Sequence, residues 1–258
     1  MQQDCGPADP LRPLLAALPN GALLLLDRLN CGGSFLLPLL VRAALQDGHK
    51  VVVLAAGHSA ARHSAALRKL GVVQQAGAVA FVSLQQQQQQ QQQQPPPERA
   101  CRGVTLVLDS VPALLSLFPG AQAAAAFLHG CRALGPHLAA PGYRFAALAA
   151  ADAPGEAPLL AALQHAADAV LALTPVEGRT ADLDGRLDAT LRRLPAAWAD
   201  AAASTSGGGS DAAAAAARTT GSGGGGAWLP GMRSWHYRVT DVAVRWLPGQ
   251  IAGRELMA

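Results

Sequence analysis

Apolar residues in this chain come in short unbroken runs separated by longer amphipathic stretches. Residues 23–26 are four consecutive leucines bounded by turn residues, the pattern of a central strand buried on both faces. Residues 50–54 repeat it. Residues 78–84, 104–108, 143–150 and 168–173 supply further strands. Between them, residues 34–46 place Phe35, Leu36, Leu39, Leu40, Ala43 and Ala44 at helical spacing. Pro38 lies deep enough in that segment to predict an irregular start or a kink. Residues 59–70, 121–134 and 157–167 predict three more helices, the second with Phe127, Leu128, Cys131 and Leu134 on one face. Residues 235–239 and 242–246 alternate apolar and polar around Thr240 and Asp241, which predicts an antiparallel hairpin closing the edge of the sheet. The first strand, helix and second strand form a βαβ unit.

Two stretches interrupt this order. A glutamine run at 85–94 with prolines at 95–97 forms an insert over about 85–100, and an alanine, serine and glycine tract fills 199–227. Neither can bury a core, so both are expected to be inserts in a single domain covering 1–258. Parallel strands first and a hairpin last make the expected fold α/β and RecA-like: a mainly parallel sheet flanked by helices, with a C-terminal antiparallel hairpin.

Composition changes the picture little. The net charge of +3 over 258 residues names no partner by itself. Cys5, Cys31, Cys101 and Cys131 are scattered, which argues against a zinc cluster or a disulfide framework and fits a reducing compartment. Neither a secretory leader nor an apolar run of membrane-spanning length is expected. The expected location is the cytoplasm, and also the nucleus.

The first strand leads into a turn and a helix, the setting of the phosphate-binding pattern G-x-x-x-x-G-K-[ST]. Gly32 and Ser34 fall in register, but Asp27 stands at the first glycine and Gly33 at the lysine. Losing the cation and adding a carboxylate both act against ATP, because phosphoryl transfer depends on positioning and electrostatics. Residues 104–109 end in Asp109, a Walker B-like strand tip; a buried strand followed by an aspartate cap looks the same. Ser34 and Asp109 are the right types for magnesium, yet the loop reads as degenerate, with no cofactor. Ser34 lacks a nucleophile-elbow context. His58 and His63 are five apart, unlike the i,i+4 pair that holds zinc on a helix face, so no metal is expected. Arg62, Arg68 and Lys69 share a helix with His58 and are either a solvated face or a phosphate contact. Arg186, Arg192 and Arg193 form a second basic group open to the same two readings. Trp228, Trp235, Tyr237 and Trp246 suit either a subunit interface or the hairpin's own core.

The landmarks resemble the Elongator complex protein 6 family. They are Gly32-Gly33-Ser34-Phe35-Leu36, Lys50 to Val53 leading to His58-Ser59 and Arg62-His63-Ser64, and Lys69-Leu70-Gly71-Val72. Leu106 to Val111 with Leu114 to Leu117, then Phe127-Leu128-His129 with Cys131-Arg132, and Trp235 to Val239 continue the series. The resemblance implies a Walker-less RecA-like subunit in a hetero-hexameric ring with Elongator proteins 4 and 5. Such a ring binds tRNA and supports the catalytic Elongator subunits that modify the anticodon's wobble uridine. Two other readings stay open: an active recombinase-like ATPase with an atypical loop, and a paralogue that assembles without touching RNA.

Overall fold

A computed structural model describes residues 9–18, 20–72, 77–84, 101–138, 141–153, 156–176, 183–192, 231–240 and 243–248. The 85–100 and 199–227 inserts, Cys5, Arg193, Trp228 and Asp241 lie outside the described residues.

The elements run α1 (Leu11–Ala17), β1 (Gly21–Asp27), α2 (Leu36–Gln46), β2 (His49–Ala55), α3 (Ala60–Lys69) and β3 (Val79–Ser83). After the first insert come β4 (Gly103–Leu108), α4 (Val111–Leu117), α5 (Ala121–Ala133), β5 (Tyr143–Ala150), α6 (Ala157–Ala166) and β6 (Ala169–Thr174). The chain ends on β7 (Gly185–Leu191), β8 (Gly231–Val239) and β9 (Val244–Pro248). The strands form one nine-stranded sheet in the order β3-β2-β4-β5-β1-β6-β7-β8-β9. Pairings are parallel from β3 to β6 and antiparallel from β6 to β9.

The leucine run lies near the middle of this sheet. Its two-residue period divides the leucines between two cores. Leu23 and Leu25 pack with Leu36, Leu39, Leu40 and Leu67, on the side of α1, α2 and α3. Leu24 and Leu26 pack with Val111, Leu114, Leu128 and Leu159, on the side of α4, α5 and α6. A strand covered on both faces must be apolar at every position, as residues 22–26 are.

Several expectations need adjustment. The first βαβ unit does not join neighbours, because β5 and β4 lie between β1 and β2. Helix α2 starts at Leu36, two residues past the expected start, so Pro38 sits in its first turn, where its missing N–H is no loss. Leu134 is 40% exposed, while Ala124 joins Leu128 and Cys131 on the buried face. Beyond β1 in the chain, two elements went unread. Helix α4 is started by Ser110, whose Oγ accepts from the Ala113 N–H. Strand β7 alternates apolar Leu187, Ala189 and Leu191 with polar Arg186, Asp188 and Thr190, a pattern the charges disguise, with Asp188 itself buried. The hairpin's second strand begins at Val244, and Tyr237 faces Trp246 across it, both buried in the core. Among the described residues no helix is long and apolar enough to cross a membrane.

Candidate functional site

The parallel strands β1, β2, β4 and β5 end on one side of the sheet, and the loops that leave them carry the phosphate-like motifs. Open α/β sheets bind ligands outside these carboxyl ends. β1 stops at Asp27, and the chain folds into a tight turn in which Arg28 and Cys31 exchange backbone hydrogen bonds of 3.2 and 2.9 Å. Leu29 at its tip is 91% exposed, and its N–H donates to Asp152 Oδ2 at 2.8 Å. Cys31 Sγ lies 2.8 Å from the Tyr237 hydroxyl, which ties the turn to β8.

In a working phosphate loop, backbone N–H groups before the helix converge on an external anion. Here the Gly33 N–H donates to Asp27 Oδ2 at 3.0 Å. The anion is the strand's own side chain. Burial pushes the Asp27 carboxyl above its ordinary range, the Gly33 N–H opposes that, and nearby Asp152 adds repulsion. A side chain would be tight at the lysine position: a Cβ on Gly33 would sit 3.0 Å from Asp27 Cβ, 3.0 Å from Leu173 Cδ1 and 3.1 Å from Leu148 Cδ1. The adjoining cavity of about 900 Å³ is lined by Asn30, Gly32, Ser34, Asp184 and Tyr237 among others, with no cation among its described lining residues. A nucleoside triphosphate does not fit this arrangement of donors and charges.

The second strand-tip carboxylate behaves in the same way. Asp109 is fully buried. Its Oδ1 accepts the N–H groups of Ala56 and Gly57 at 2.7 and 2.9 Å, and its Oδ2 accepts that of His58 at 2.8 Å. His63 Nε2 lies 2.9 Å from the same Oδ2. Burial alone would raise this carboxyl, but the His63 imidazole and the three N–H groups outweigh it and hold Asp109 below the usual range. The N-cap of α4 is Ser110, so the alternative reading of Asp109 as a helix cap does not apply. Asp109 instead holds the β2–α3 turn against β4.

That turn also corrects the reading of the histidines. His58 precedes the N-cap Ser59, and His63 lies in the first turns of α3. The chain bends between them, so a five-residue spacing still brings the two rings to 5.8 Å between centroids. With Asp109 they form a cluster whose ligand atoms all lie within 4.8 Å of one another. Helical periodicity alone missed it. The usable signal was two histidines flanking a helix cap, beside an aspartate-ended strand.

Arg62, Arg68 and Lys69 are exposed on α3. Arg62 and Lys69 line a cleft of about 240 Å³ together with Ser34, His58, His63 and Thr240. The fold thus gathers Ser34, Arg62 and Lys69 around one opening, while Arg68 is not among the residues lining it. In the second basic group, Arg186 pairs with Asp188 at 2.9 Å and Arg192 donates to the Gln164 carbonyl at 2.7 Å, both side chains remaining exposed.

No protein-family model matches the chain, and no curated protein does. Solved structures do. A KaiC-like protein of Pyrococcus horikoshii aligns with a TM-score of 0.54 at 12% identity, over 89% of this chain and 91% of its own. The flagellar accessory protein FlaH of Methanocaldococcus jannaschii aligns with a TM-score of 0.50 at 12% identity, over 87% of this chain and 89% of its own. The fold is RecA-like. In that frame the turn after β1 occupies the phosphate-loop position and Asp109 the Walker B position, and each is closed by internal hydrogen bonds.

Proposed function

We propose that this chain is a non-catalytic RecA-like ring subunit of the Elongator complex protein 6 kind. In this reading it assembles with Elongator proteins 4 and 5 into a hetero-hexamer. The ring binds tRNA and supports the modification of its wobble uridine by the catalytic Elongator subunits. The observation that carries the non-catalytic part is the Asp27–Gly33 hydrogen bond of 3.0 Å, which spends the loop's amide on an internal carboxylate. Electrostatics act in the same direction, since Asp27, Asp152 and Asp184 lie about the turn and outnumber its one nearby cation, Arg28. The RecA-like fold and the sequence landmarks support the ring, and the exposed Arg62, Arg68 and Lys69 support an RNA backbone contact.

Calorimetric titration of the full chain with magnesium ATP tests this directly. The expected result is no saturable heat at millimolar nucleotide. Micromolar binding abolished by Asp109→Ala would replace the proposal with the active-ATPase reading.

A further inference from the structure

We infer that His58, His63 and Asp109 form a binding site for a divalent transition-metal ion of the zinc type, opening into the cleft beside Ser34, Arg62 and Lys69. Two imidazole nitrogens and one carboxylate oxygen are a donor set that zinc and its neighbours take up, leaving at least one position for water or an incoming ligand.

The geometry is nearly that of a bound site. A tetrahedral ion with ligands at about 2.0–2.1 Å separates them by roughly 3.3 Å. His63 Nε2 lies 2.9 Å from Asp109 Oδ2, and His58 Nδ1 lies 3.5 Å from the same oxygen, so the two distances bracket that value. The third separation, between the two imidazole nitrogens, is within 4.8 Å, so binding draws the rings together by at most about 1.5 Å. Rotation is open to His58, whose side chain is 25% exposed.

An unsatisfied atom points the same way. His58 Nδ1 is shielded from solvent and makes no hydrogen bond. Buried polar nitrogens are almost always partnered, and a metal ion would supply the partner. The remaining contacts preset the site. Two backbone N–H groups fix Asp109 through Oδ1, and a third, from His58 itself, locks Oδ2 beside the imidazole it would share an ion with. His63 lies near-parallel to Phe81, with ring planes 11° apart and centroids 6.2 Å apart, which packs one face of the imidazole. On binding, the His63–Asp109 contact gives way to an ion bridging the two, and the Nε2 proton of His63 leaves for its other ring nitrogen or for solvent.

The test uses the tag-free full chain, stripped with chelator and titrated with Co²⁺ and then Zn²⁺. The expected result is one Co²⁺ per chain, with the visible absorption of a low-symmetry site, displaced by Zn²⁺. His58→Gln and His63→Gln should each weaken binding about tenfold or more. In the wild-type chain, nitrogen NMR shifts should move at His58 Nδ1 and His63 Nε2, a readout independent of whether either variant folds. Absence of a stoichiometric site overturns the inference. So does wild-type affinity in both variants, or an ion that leaves both histidine nitrogens unshifted.

Discussion

Restoring the missing lysine should damage this protein instead of activating it. A Cβ on Gly33 would meet Asp27 Cβ at 3.0 Å, Leu173 Cδ1 at 3.0 Å and Leu148 Cδ1 at 3.1 Å. Carbon atoms prefer about 3.5–4.0 Å, so all three contacts are too short by several tenths of an ångström. The neighbours have little freedom to withdraw. Asp27 is held in the β1–β5 ladder, where its carbonyl accepts from Ala151 at 2.7 Å, and both leucines lie in the packed core. Overpacking of this kind costs about 1–3 kcal/mol. Gly33 does not adopt a positive φ, so alanine also recovers about 0.4–1 kcal/mol by narrowing the unfolded chain. The net loss for Gly33→Ala is up to about 2.6 kcal/mol, or up to roughly 10 °C in Tm for a protein of this size. Gly33→Lys carries the same clash with a longer side chain and should lose at least as much. Thermal unfolding followed by circular dichroism, paired with ATP calorimetry, measures both consequences. A Gly33→Lys variant with wild-type Tm and micromolar affinity for magnesium ATP would refute the reasoning.

Three further outcomes follow from particular side chains. Burial, reinforced by the Arg144 guanidinium, lowers the His49 imidazole below its ordinary value, so the unfolded chain takes up that proton first as pH falls. The stability from neutral His49 is complete above about pH 6.5 and is lost below it; Tm should drop between pH 7.5 and 5.5, with a shallower slope in His49→Asn. Burial pushes the Cys131 thiol up to about 11 and raises Cys31 as well, so native-state maleimide at pH 7.5 should spare both and reach the half-buried Cys101, with all four cysteines of the sequence labelled in denaturant. In the proposed ring, replacing Arg62, Arg68 and Lys69 by alanine should weaken tRNA binding and reduce its salt dependence by somewhat under one unit of slope per lost contact. Unchanged affinity would remove these residues as contacts.

The sheet was legible because its central strands are covered on both faces, which leaves their apolar runs uninterrupted. β7 was not, since Arg186 and Asp188 look like a charged loop until their mutual ion pair and the buried Leu187 are seen. The phosphate loop was half legible. The wrong residues at positions 27 and 33 announced a degenerate motif, but spacing could not reveal that Asp27 bonds the Gly33 amide. The same limit hid the histidine cluster. A helical wheel assumes one continuous helix, and His58 stands before the cap of α3, where the backbone of Ser59 is extended. The sheet order also escaped the sequence, because nothing in β1, α2 and β2 says that two later strands will be inserted between them.

Native mass spectrometry of the complex purified on this chain from its own cells tests the central claim most directly. The proposed ring gives a hexameric mass containing two copies of this chain and two each of two other RecA-like proteins, Elongator proteins 4 and 5. A chain recovered alone, or in a homo-oligomer that hydrolyses ATP, would contradict it.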